Sequence, residues 1–190
     1  MFDILFDIIT SPGETFYRMS RRDLSYSGFG IMIGGIISTA AGVSLLLNLG
    51  SGLSGYLLTW GVLLRTFLGA FLLLILVSLY HFFAGIFGGE GSPGHLFKAI
   101  PYTWAPFVFF APLILIMKAF FPKSDFFFTI PLVLLLSFFC LYLQYRLINY
   151  FYGLPFKNGV AAFITPWFII IGGVAFFPIL VLVSFSAFIV

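Results

Sequence analysis

The sequence predicts an all-α protein, a polytopic membrane helix bundle of about five transmembrane helices preceded by a short interfacial amphipathic N-terminal region. Three observations predict it. The 190 residues are 62% hydrophobic and 8% charged, whereas soluble domains average roughly 45–50% apolar and about 25% charged, so an interior of this size cannot hold the excess. The apolar residues gather in runs of roughly 20 residues or more, the length a bilayer crossing needs. The acidic residues avoid those runs, with Asp3, Asp7, Asp23 and Asp125 in terminal or connecting positions. The five runs fill the length, which leaves no room for a large extramembrane enzyme module.

Two regions follow, 1–25 as interfacial cytoplasmic helices and 26–190 as one five-span domain. In the first, Phe2, Leu5, Phe6 and Ile9 recur at helical spacing beside Asp3 and Asp7, as in a helix lying along a membrane surface. Ser11-Pro12-Gly13-Glu14 restarts the helix, with Ser11 as cap, Pro12 at the first helical position and Glu14 closing a capping box. Phe16, Met19, Arg18, Arg21 and Arg22 then form either an interfacial anchor or a partner-binding helix. Acidic residues stand where a signal peptide needs basic ones, so no cleaved leader is expected.

The first span covers about Tyr26 to Leu47, and Gly30, Gly34, Ser38 and Gly42 recur every fourth residue as a helix-packing face. Gly50 to Gly55 lacks a following lysine and reads as a turn rather than a phosphate loop. The second span is drawn from Thr66 to Phe87, with residues 56–64 interfacial or re-entrant. Arg65 then sits at the boundary, where it snorkels to headgroups unless it lines a functional cavity. His81, near the other end, reads as a hydrogen-bonding helix contact or a proton relay.

Gly88-Gly89-Glu90-Gly91 ends that span, and Ser92-Pro93-Gly94 starts a new helix. The third span, about Tyr102 to Phe121, contains Pro106 and Pro112, which strip the carbonyls of Tyr102 and Val108 of their usual amide partners. In a membrane those carbonyls need another donor, so the kinks either fit the bundle or line a polar cavity. The fourth span covers about Phe126 to Ile148, with Gln144, Arg146 and Asn149 at its end. The fifth segment, Gly159 to Val190, is 32 residues without a charge, and Pro166 and Pro178 are expected to bend it or to mark a surface turn.

With the N-terminus inside, Arg18, Arg21, Arg22, Lys98, Arg146 and Lys157 face the cytoplasm, against Arg65, Lys118 and Lys123 outside. The positive-inside rule thus favours a cytoplasmic N-terminus and an external C-terminus. The net charge of +3 is too small and scattered for nucleic acid. Cys140 is alone, and His81, Glu90 and His95 fit no common zinc spacing, so no metal, cofactor or catalytic residue is expected.

The run Phe87-Gly88-Gly89-Glu90-Gly91-Ser92, with Leu96-Phe97-Lys98-Ala99, Tyr102 and Pro106, resembles the signature between the second and third spans of the Ypt-interacting-protein (Yip) family. Ser11-Pro12 to Thr15-Phe16, and Gly153-Leu154-Pro155 to Lys157 and Val160-Ala161, resemble the family's pre-span and late segments. The resemblance implies five spans with a cytoplasmic N-terminus and marks Pro12, Gly88, Gly89, Tyr102 and Pro106 as motif positions, which join Arg65 and His81 as candidate functional positions. Eukaryotic members carry a long cytosolic N-terminal region and are linked to Rab-type GTPases and vesicle transport. The roughly 25 residues before the first span here resemble prokaryotic members, in a cytoplasmic (inner) membrane.

Two functions are weighed foremost. One is a non-enzymatic protein that recruits partners or organises the membrane, with lipids, other membrane proteins or a second copy as partners. The alternative is a small permease, channel or lipid-moving protein using Arg65, His81 and the carbonyls freed by proline. A membrane enzyme would need convergent titratable groups, which no spacing in this sequence supplies.

Overall fold

The computed structural model describes residues 7, 10, 14–16, 25–47, 55–121 and 125–187. The features at Pro12, at Arg18, Arg21 and Arg22, at 48–54 and at Lys123 lie outside the described residues. The described residues are helical almost throughout, and five helical stretches are long and apolar enough to cross a membrane: Ser27–Leu46, Thr59–Ile86, Pro93–Phe120, Phe127–Tyr152 and Phe156–Gly173.

Helix α1 (Ser25–Leu46) forms the first span without a charge or a proline to interrupt it. Helix α2 (Val62–Ile86) is entered through a π-helical turn at Leu57–Gly61. This corrects the re-entrant reading of 56–64, because the helix is continuous from Gly55. The stretch has no proline, and one wide turn accommodates its extra residue without breaking the ladder.

The third span is four pieces end to end: α3 (Pro93–Ala99), a 3-10 turn (Ile100–Trp104), α4 (Ala105–Val108) and α5 (Phe110–Phe120). Ser92 is extended and Pro93 takes the first helical position, so this span begins about a turn and a half before its most apolar part. Pro101, Pro106 and Pro112 fall in or beside the successive breaks, each removing an amide from the ladder.

Helix α6 (Asp125–Tyr152) runs past Ile148, because Tyr150, Phe151 and Tyr152 continue it until Gly153 ends it at φ +60°. Helix α7 (Phe156–Ala187) is unbroken through Pro166 and Pro178, so no surface turn interrupts the fifth span.

The third span lies at the centre. Helix α1 packs along α4 and α5, α2 packs against α7, and α6 closes on the 3-10 turn. Tyr80, Leu96, Ile100, Tyr102, Leu143 and Leu147 form the main core, which Phe16 joins from the N-terminal segment. A smaller core of Phe110, Ile114 and Leu136 lies toward the other end. Large apolar side chains cover the outside, among them Phe67, Phe127, Phe138 and Phe168, each more than 60% exposed, as expected of a surface that meets lipid.

Candidate functional site

Alternating spans bring the start of α1, the 87–92 connection and the 153–155 connection to one end of the bundle. Tyr152 fastens this end. Its hydroxyl is 2.9 Å from His81 Nδ1, and its carbonyl accepts the Glu90 amide at 3.3 Å. Gly89 and Gly91 lie beneath it: a methyl group at Gly91 would sit 2.5 Å from the Tyr152 ring, and one at Gly89 2.9 Å from its Cβ. Gly88 has φ +85°, a conformation glycine adopts at low cost. Asn158 Nδ2 donates to the Phe87 carbonyl at 2.9 Å, tying the fifth span to the same connection. Phe16 packs its buried ring against Tyr150. Glu90, His95, Lys98 and Lys157 are among the exposed charged or titratable groups of the described residues around this fastened end.

The first span meets the third at very short range. Gly28 lies under the Tyr102 ring, Gly35 against the Trp104 carbonyl and Phe107, and Gly42 against Phe110. A methyl group would stand 2.6 Å from Tyr102 at Gly28 and 2.5 Å from Phe110 at Gly42, whereas at Gly34 it would make an ordinary 3.8 Å contact. The closest glycines therefore repeat every seven residues, the period of a helix seam, and Gly28 and Gly35 escape a reading by fours. Gly30 is half-buried. Tyr102 is fully buried and its hydroxyl pairs with Ser27. Pro106 is buried within α4.

Ser38 does something different on this seam. Its hydroxyl donates to the Val108 carbonyl at 2.8 Å and accepts the Ala111 amide at 2.9 Å. The carbonyl that Pro112 deprives of an amide thus receives a donor from another span. The Tyr102 carbonyl, deprived by Pro106, accepts the Ala105 amide in the 3-10 turn. Both receive a donor inside the protein, as a membrane interior requires.

A chain of polar contacts crosses the middle of the bundle. Trp167 Nε1 donates to the Tyr80 hydroxyl at 2.8 Å, Tyr80 donates to Gln144 Oε1 at 3.3 Å, and Gln144 Nε2 approaches Cys140 Sγ at 3.7 Å. Cys140 Sγ is 4.0 Å from Thr103 Oγ1, which donates to the Ile100 carbonyl at 2.7 Å. Beside this chain a groove of about 520 Å³ opens between the third, fourth and fifth spans, with Trp104, Phe107, Ser137, Gln144, Phe163 and Trp167 in its wall. Sequence reasoning placed Gln144 at a span end and passed over Trp167 and Thr103. The signal was present as polar atoms within apolar runs, but which of them meet depends on the bundle.

Arg65 is exposed on α2 and His81 is bound to Tyr152, so the structure does not bring these two together. Among the described residues no three His, Cys, Asp or Glu side chains converge in a way that would hold a metal ion. Compared with known families, the chain matches the Yip1 domain over residues 6–177. No curated protein and no solved structure matches it.

Proposed function

The chain belongs to the Yip family, and from that premise we propose that it is a non-enzymatic multi-pass membrane protein that recruits partners or organises its membrane, in a trafficking-like role. In this reading it sits in a prokaryotic cytoplasmic membrane with its N-terminus in the cytoplasm and its C-terminus outside, which the distribution of basic residues supports.

The observation that carries the reading is the fastened end face. Two connections are held around Tyr152 by hydrogen bonds and close glycine contacts, Phe16 of the N-terminal segment packs against the neighbouring Tyr150, and the third-span carbonyls of Tyr102 and Val108 freed by proline are already paired. A rigid rim bearing Glu90, His95, Lys98 and Lys157 suits recognition, because little conformational freedom is lost when a partner docks. In this reading the recruiting surface is the rim, since the third span covers Gly28, Gly35 and Gly42 of the first.

A photo-crosslinking amino acid at His95 tests it in intact cells. The expected result is a discrete protein adduct from His95 and only lipid adducts from the same probe at Phe67. Lipid adducts alone at both positions would overturn the recruiting role. A lipid-moving protein is the second reading, favoured by the lateral groove, and phospholipid scrambling in proteoliposomes above the rate of empty vesicles would put it first.

A further inference from the structure

The polar chain beneath the groove has a direction. An indole nitrogen only donates, so the Tyr80 hydroxyl, which accepts from Trp167, spends its own proton on Gln144 Oε1. That fixes the Gln144 carboxamide with its oxygen toward Tyr80 and its nitrogen toward Cys140. A thiol sulfur is a weak acceptor, and the nitrogen carries a second N–H for which no acceptor is found among the described residues. Gln144 is only 5% exposed, yet it lines the groove. Ser137 lines it too, seven residues earlier on the same face of α6, and its hydroxyl makes no hydrogen bond among the described residues. Side chains on a helix lean toward its N-terminus, so the Gln144 amide lies near the level of Cys140, about one turn or roughly 5 Å from Ser137.

The groove therefore presents two unspent donors at membrane depth, with Trp104, Phe107, Phe163 and Trp167 around them. An alkyl chain would leave the second Gln144 N–H unpaired, which is unfavourable in hydrocarbon, and would turn Ser137 back onto its own helix. An occupant that satisfies both donors is apolar, carries acceptors rather than donors, and reaches the bundle interior from the bilayer. The ester carbonyls of a diacyl lipid stay near the interface. By contrast, Gln144 lies eight residues, about 12 Å, from the end of α6. We propose that this groove binds the ring of an isoprenoid quinone, one ring carbonyl accepting from both Gln144 Nε2 and Ser137 Oγ and its tail leaving into the lipid. The volume of about 520 Å³ falls within the roughly 300–1,000 Å³ of small-molecule pockets, whose walls are likewise apolar with a few placed polar groups.

The test uses the full chain in phosphatidylcholine nanodiscs, with Trp60→Phe so that Trp104 and Trp167 alone report, and a decyl-tailed 1,4-benzoquinone as the probe. Saturable quenching of tryptophan emission is expected, weakened about tenfold by Gln144→Leu and a few-fold by Ser137→Ala, in line with the loss of one hydrogen bond each. The corresponding decyl-tailed benzene, without carbonyls, should not compete. Because Gln144→Leu also disturbs the Tyr80 contact, Ser137→Leu is the companion variant: it fills the groove without touching the polar chain and should abolish saturable quenching. Quenching that stays linear in probe, or that is equal in the Ser137→Leu protein, overturns the proposal. So does competition by the decyl-tailed benzene as strong as the quinone's own binding, which would mean that an alkyl chain suffices to hold the groove.

Discussion

The third and fifth spans both carry prolines in apolar sequence, yet one is in four pieces and the other is a single helix. Pro101, Pro106 and Pro112 accompany breaks after Ala99, Trp104 and Val108, while α7 runs unbroken through Pro166 and Pro178. Proline count does not separate them, but surroundings do. The third span is central and meets a partner that can serve a broken ladder, the Ser38 hydroxyl placed between Val108 and Ala111. Around Pro166 the freed carbonyl is that of Ala162, and the neighbouring hydroxyl serves a different one, Thr165 Oγ1 donating to the Ala161 carbonyl of its own helix at 2.7 Å. A span can leave α-helical geometry where a neighbour replaces the lost bonds, and otherwise keeps its ladder.

The strongest way to break this comparison is Ser38→Val, which removes the hydroxyl and adds one heavy atom, with Ser38→Ala as the control that removes the hydroxyl without added bulk. It orphans the Val108 carbonyl and the Ala111 amide together. At about 1–2 kcal/mol for each group, given the modest worth of hydrogen bonds between membrane helices, the loss should be about 2–3 kcal/mol in reversible unfolding in mixed micelles. Adding Pro112→Ala supplies an amide four residues after Val108 and should return about 1 kcal/mol, a coupling that distant sites would not show. If Ser38→Val unfolds like the parent, the hydroxyl is not what sustains the break.

The glycine seam sharpens the same contrast, because a broken span can lie this close to α1 only where side chains are absent. Gly42→Ala places a methyl group 2.5 Å from the Phe110 ring and should cost about 1–3 kcal/mol through overpacking. Gly34→Ala, eight residues earlier, makes an ordinary contact at 3.8 Å and should change stability by less than about 0.5 kcal/mol. Equal effects at the two positions would mean that the four-residue repeat, and not the seven-residue one, describes the seam. The readout is the same unfolding midpoint for both variants.

Much of this was legible beforehand. Five spans, the helix start at Ser92-Pro93, and the need of the Val108 carbonyl for a new donor all follow from composition, cap chemistry and one missing amide. What supplies that donor was not legible, because Ser38 and Val108 are 70 residues apart and nothing local relates them. The re-entrant alternative for residues 56–64 failed for the opposite reason: a charge at the end of a snorkelling side chain does not stop a helix, which runs on through Arg65. The polar chain from Trp167 to Thr103 draws on four spans, and each residue alone is an ordinary polar atom in an apolar run. The resemblance around Gly88, Gly89 and Tyr102 located the fastened end, while Tyr152, which organises it, carries no mark in the sequence beyond being the last aromatic before Gly153.

The smallest expected effect completes the comparison from the side of the fifth span. Thr165→Val removes the hydroxyl beside Pro166, as Ser38→Val removes the one beside the third-span break. Here the Ala161 carbonyl still receives the Thr165 backbone amide through the helix ladder, so no buried group is orphaned. A side-chain bond of this local kind is nearly redundant in a helix, and the loss should stay below about 0.5 kcal/mol in the assay used for Ser38→Val. A loss approaching that of Ser38→Val would show that α7 also depends on a hydroxyl to pass its proline, and that the two spans differ in where the hydroxyl comes from rather than in whether one is needed.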